Sequence, residues 1–132
     1  MKKISPGTRE SDSTSIKGDY GSASCYSISI TDNYSGLAED RPESFKITTN
    51  NGNIISATGI PDGWARTPSK FPPGSSEIKW TNNSGDIPNG VTDLGNICFG
   101  NVTTDPFYIT YEWLNKNGNV ICSGIIGSKD QL

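Results

Sequence analysis

Apolar and polar residues alternate with period two over several short stretches, and no run of ten residues shows the i, i+3, i+4 spacing of an amphipathic helix. From Cys25 onward, Tyr26, Ile28 and Ile30 alternate with Ser27 and Ser29, which predicts a strand with one dry face. A second strand spans Ser44–Thr49 with Phe45 and Ile47 inward. Asn50-Asn51-Gly52-Asn53 then reads as a hairpin turn into Ile54–Thr58. A two-residue loop there sets Ile54 on the Phe45 face, and a three-residue loop sets Ile55 and Ala57 there. The second gathers the apolar side chains and is the expectation. Ser76–Thr81 carries Ile78 and Trp80 on one face, and Asn96–Gly100 carries Ile97 and Phe99, with Cys98 opposite.

The sharpest unit is at the C-terminal end. Over Phe107–Leu114, Phe107, Ile109, Tyr111 and Trp113 share one face and Tyr108, Thr110, Glu112 and Leu114 the other. Asn115-Lys116-Asn117-Gly118 turns the chain into Asn119–Ile126, so Tyr111 and Trp113 meet Val120, Cys122 and Ile126. Between the strands, Thr31–Pro42, Ile60–Gly74 and Asn82–Gly90 read as loops. Residues 1–23 are polar and rich in Gly and Ser, and predict a flexible N-terminal arm that adds an edge strand near Ser15–Asp19. Residues 24–127 form the domain. About seven short strands separated by turns predict an all-β, immunoglobulin-like two-sheet β-sandwich, with Phe45, Trp80, Phe99, Tyr111 and Trp113 filling one core.

Composition supports that class. Fifteen Ile and three Val stand against four Leu and one Met, a balance that suits pleated sheets over helices. The 132-residue chain has one domain's length, and its net charge of −3 is the wrong sign for a nucleic-acid footprint. No apolar run is long enough to insert in a membrane as a helix. Seventeen Ser, twelve Thr and twelve Asn give the polar, lysine-poor surface of a secreted or extracellular protein. Met1-Lys2-Lys3 has the basic character of a signal-peptide start, with no apolar segment directly behind it. Sequons at Asn33, Asn82 and Asn101 are as many as this Asn, Ser and Thr content produces by chance.

Candidate chemistry is defined mostly by exclusion. The chain has no His, which removes Ser–His and Cys–His nucleophiles and the His-bearing zinc sites. Phosphate-binding glycine loops are absent, no EF-hand spacing occurs, and no metal or other cofactor is expected. A glycosidase-like pair of loop carboxylates is the remaining enzymatic reading, with Glu112, on the face of its strand opposite Trp113, as a further candidate. The plainer reading is a solvated outward Glu, with Asp32, Asp40, Asp86, Asp93 and Asp105 as turn residues in loops. Binding has one positive sign: Tyr34, Trp64 and Tyr108 lie in loops or on an outward face, where flat rings suit stacking on sugars. For Trp64 the first expectation is a plug for the core, ahead of a platform.

Cys25, Cys98 and Cys122 form an odd set, so one bridge and one free thiol is the simplest arithmetic. Cys122 faces Trp113 on the last hairpin, and a disulfide packed on a buried Trp recurs in sandwiches. Cys98 is its preferred partner, although the inward parity of Ile97 and Phe99 opposes that pairing. Cys25, on the Ser face of its strand, meets the same difficulty and is left free or available for an intermolecular bond.

Trp80, Ile87-Pro88-x-Gly90, Cys98-Phe99, Tyr111-x-Trp113, Gly118 and Cys122 together resemble secreted bacterial β-sandwich modules, both carbohydrate-binding modules and the Ig-like domains of surface proteins. The resemblance covers about residues 76–124. It implies a non-catalytic extracellular sandwich whose partners are itself, other surface proteins or a polysaccharide. The row of exposed Trp that marks cellulose-binding modules is missing. The leading expectation is therefore a structural or adhesive module acting by binding or assembly, followed by a glycan-binding module and then by a glycosidase.

Overall fold

The computed structural model describes residues 2–3, 13–19, 25–32, 34, 37–49, 52–100 and 109–126. Its strands are β1 (Lys2–Lys3), β2 (Ser13–Asp19), β3 (Cys25–Asp32), β4 (Pro42–Thr49), β5 (Asn53–Thr58), β6 (Trp64–Thr67), β7 (Glu77–Asn82), β8 (Gly90–Gly100), β9 (Ile109–Asn115) and β10 (Val120–Ile126). One turn of 3₁₀ helix at Ala38–Asp40 precedes β4. The strands form two antiparallel sheets, one ordered β1-β2-β3-β8-β5 and the other β10-β9-β4-β7-β6. The architecture is the all-β sandwich that the alternation predicts, and β2 is the strand expected near Ser15–Asp19.

The sheets close on a single apolar core. From the first sheet come Ile28, Ile30, Ile54, Leu94, Ile97 and Phe99, and from the second Phe45, Ile47, Ile78, Trp80, Ile109, Tyr111, Trp113 and Cys122. Phe45 sits at the centre. Its ring lies 5.1 Å from Trp113 in an edge-on contact, 6.1 Å from Tyr111 and 6.2 Å from Trp80. Burial of each such ring contributes roughly 1.5–3 kcal/mol, and favourable ring geometry adds a further increment. The indole N–H groups of Trp80 and Trp113 are buried with no acceptor. A dry core of this kind offsets that cost with apolar area.

The stretch Ile60–Gly74, expected as a loop, holds the short edge strand β6, which pairs with β7. Two further expectations fail for identifiable reasons. The first is the hairpin between β4 and β5. β4 already pairs with β7 on one side and β9 on the other, so it has no free edge for β5. The chain instead crosses to the other sheet, where β5 pairs with β8. A register shift between Ile54 and Ser56 puts Ile54 in the core and leaves Ile55 52% exposed, reversing the expected phase at those two positions, while Ala57 packs against the core as expected. The second is the length of β8, which begins at Gly90 instead of Asn96. Gly95 pairs with Ile28 and Asp93 with Ser29, so Leu94 is an extra residue that breaks the period of two.

One end of the sandwich is tied by Arg41, which enters β4. Its guanidinium donates to the carbonyls of Tyr34 (3.4 Å) and Ile87 (3.1 Å) and to Asn89 Oδ1 (3.1 Å). It also lies 3.8 Å from the buried Asp32 carboxylate, 3.7 Å from Asp86 and over the Tyr34 ring. A planar fork with five donors suits this many acceptors, and a lysine does not. Asp32 was expected in a loop; it ends β3, fully buried, and accepts the Tyr34 N–H at 2.8 Å.

The bulge in β8 makes a direct test. Gly95 has φ of +90°, and a Cβ there would run into the backbone carbonyls of Thr58 and Gly59, whereas one at Gly90 (φ +105°) would meet nothing. Gly95→Ala is expected to cost about 3 kcal/mol or more and Gly90→Ala about 1–2 kcal/mol, as read from urea midpoints. Equal losses would show that the bulge is not the constraint.

Candidate functional site

Alternation that turns Phe45, Trp80 and Tyr111 inward turns Lys46, Lys79 and Glu112 outward onto the face of the β10-β9-β4-β7-β6 sheet. The register puts Lys46 between Lys79 on β7 and Glu112 on β9. The Lys46 ammonium stands 3.3 Å from Glu112 and 3.7 Å from Glu77. These residues line an open groove of about 500 Å³, walled by Thr67 and Pro68 on one side and by Leu114, Gly118 and Val120 on the other. Like charges directly across a sheet repel, so Lys46 beside Lys79 is tolerated because the two carboxylates flank them.

The apolar wall comes from a detail of the last hairpin. Cys122 pairs with Trp113 as expected, but a register shift between Val120 and Cys122 turns Val120 outward beside Leu114, 49% exposed instead of facing Trp113. The turn is held by Asn115, whose Oδ1 accepts the N–H of Asn117 and of Asn119, each at 3.0 Å. Asp32, Asn82 and Asp93 likewise accept the N–H two residues on, the turn role foreseen for the loop carboxylates. Among the described residues no three His, Cys, Asp or Glu come together to hold a metal ion.

The aromatic platform does not form. Tyr34 is 2% exposed, its hydroxyl donates to the Leu37 carbonyl and Arg41 covers its ring, so it offers no face to a sugar. Trp64 is half-buried and packs on the core, which is the plug role. Tyr108, Phe107 and Asp105 lie outside the described residues. Glu112 faces outward, as read from the sequence, and is ion-paired. Lys46 is seated between Glu77 and Glu112 and pairs with both.

The Cys98–Cys122 bridge is corrected. Cys122 makes no disulfide and is buried in the core from β10, while Cys98 sits on β8 in the other sheet, between the inward Ile97 and Phe99. Cys98 therefore points away from the interior that Cys122 enters. Cys122 lies near Tyr111, whose ring is accommodated by Gly124, where any Cβ would strike it. Burial, and secondarily the neighbouring Cys122, push the Tyr111 hydroxyl up to about 12.

No protein-family model matches the chain, and no curated protein matches it. Among solved structures it is similar to an uncharacterized protein from Nocardia farcinica with an immunoglobulin-like fold. The match covers 83% of this chain and 80% of that one, with a TM-score of 0.53 and 16% sequence identity. The similarity shows the fold alone: the chain is an immunoglobulin-like β-sandwich.

Two predictions follow from this geometry. A raised Tyr111 pKa means that the folded state holds the proton more tightly, so the contribution of this group to stability is fully present below pH 10 and is lost as pH rises from 10 through 12. The loss amounts to roughly 2–3 kcal/mol at completion, and denaturant midpoints across that range should show it; Tyr111→Phe should flatten the dependence. Lys46→Ala and Lys79→Ala, on the exposed face, are each expected to shift stability by less than about 1 kcal/mol. Thermal melts that instead show collapse would assign the charges a structural role.

Proposed function

We propose that the chain is a non-enzymatic, extracellular or surface immunoglobulin-like module that works by binding and assembly through the outer face of the β10-β9-β4-β7-β6 sheet. The carrying observation is the groove over Lys46, Glu77, Lys79 and Glu112 with its Leu114–Val120 wall. An apolar rim beside charges of both signs, two of each, suits a protein surface of complementary mixed charge, and a second copy of the chain supplies one.

Strand addition is the less favoured mode of assembly. Edge strands β5 and β10 each carry a bulge and edge strand β6 has only four residues, devices that blunt edge pairing. A glycan-binding module is the second reading. It is supported by the open groove with its charged floor and weakened by the burial of Tyr34 and the packing of Trp64.

Sedimentation velocity over a concentration series tests the proposal. Reversible self-association is expected, weakened at least tenfold in Lys79→Glu. A monomer at every concentration that is retarded by a polysaccharide in affinity gels, with retardation lost in Lys79→Glu, replaces assembly with glycan binding. A monomer that binds no polysaccharide overturns both readings of this face. Hydrolysis of a polysaccharide that is lost in Glu112→Gln overturns the non-enzymatic one.

A further inference from the structure

Within the first sheet, β3 and β8 run antiparallel with Cys25 and Cys98 as direct Cα partners. Cα atoms of opposed residues in an antiparallel pair are about 4.5–5.5 Å apart, inside the span that a disulfide requires. The third cysteine is not a competitor, because Cys122 makes no disulfide and is buried in the core on the opposite sheet. Cys98 is half-buried and flanked by inward residues on both sides, so it belongs to the outer face of its sheet.

We propose that Cys25 and Cys98 are joined as a cross-strand disulfide that staples β3 to β8 on the outer face of the first sheet. The bond closes a loop between residues 25 and 98, more than half of the chain. In the chain-entropy account a long loop is where a crosslink restricts the unfolded state most. The place of the bond in the sheet matters too. β1 pairs with β2 and β2 with β3, so β3 against β8 is the ladder that joins the N-terminal strands to the rest of their sheet. The staple sits at one end of that ladder, with the Leu94 bulge between it and the Asp32–Gly90 end.

Formation is a two-electron oxidation. Both thiols lose their protons, the S–S bond forms, and a disulfide oxidant is reduced to two thiols in exchange. Such a bond persists in oxidising compartments, in keeping with a surface or secreted protein, and opens under a reducing poise. Cys25 is then spent within the chain and is not available for the intermolecular link.

The test is a peptide map of the full chain, folded in a glutathione redox buffer and alkylated without reductant. The expected result is one Cys25–Cys98 crosslinked peptide and one alkylatable thiol, Cys122, that reacts only after denaturation. Reductant should lower Tm by roughly 10–20 °C. Cys25→Ser and Cys98→Ser should each reproduce that shift, and the double variant should add nothing to either, whereas Cys122→Ala should keep the full response to reductant. Three alkylatable thiols, or a crosslink containing Cys122, would overturn the proposal. The map is read on the unsubstituted chain, so it stands even where a variant fails to fold.

Discussion

The contact set of Phe45 is the constraint on which the rest of the molecule depends. One ring on the central strand β4 touches Trp80 on β7 and both Tyr111 and Trp113 on β9. Those contacts fix the phase of three neighbouring strands together. Because side chains alternate strictly, a slip of one residue in any of them would bring Lys46, Lys79 or Glu112 into the core, at a cost far above that of any surface interaction. The charged groove on the outer face is therefore the obligatory reverse of the aromatic core. Its residues are free to vary in chemistry while their positions are fixed.

The second dependency is at the end of the sandwich. Arg41 joins the end of β3, the start of β4 and the loop before β8 through acceptors from Tyr34, Ile87 and Asn89 and the nearby carboxylates of Asp32 and Asp86. The phenol of Tyr34 belongs to the same knot. A tyrosine in a Ser- and Asn-rich loop looks like a binding surface in one dimension. In three dimensions it is covered by a guanidinium 46 residues from Ile87, which that guanidinium also holds.

Much of the fold was legible in the sequence because period-two alternation is a local property. Phe45, Ile47, Ile78, Trp80, Ile97, Phe99, Tyr111 and Trp113 are all inward as the pattern indicates. What escaped depends on an extra residue or on pairing across distance. Bulges at Leu94, Ile55 and Ile121 each shift the phase by one, and alternation cannot see them. The Asn-Gly turn after β4 signals a reversal of direction but not the change of sheet, which was decided by β7 and β9 having taken both edges of β4. The groove was half legible: Glu112 was placed outward, but Lys46 and Lys79 entered no motif, and only the register assembles them. The pairing of Cys25 with Cys98 is hidden for the same reason.

The central claim is that β4, held by Phe45 and paired on both sides, is the most stable part of the molecule and fixes everything built on it. Native-state hydrogen exchange measures that strand by strand. The account predicts that the hydrogen-bonded amides of β4 and β9 exchange only through global unfolding, while those of the edge strands β5, β6 and β10 open at lower free energy. Exchange from β4 ahead of the edges would contradict it.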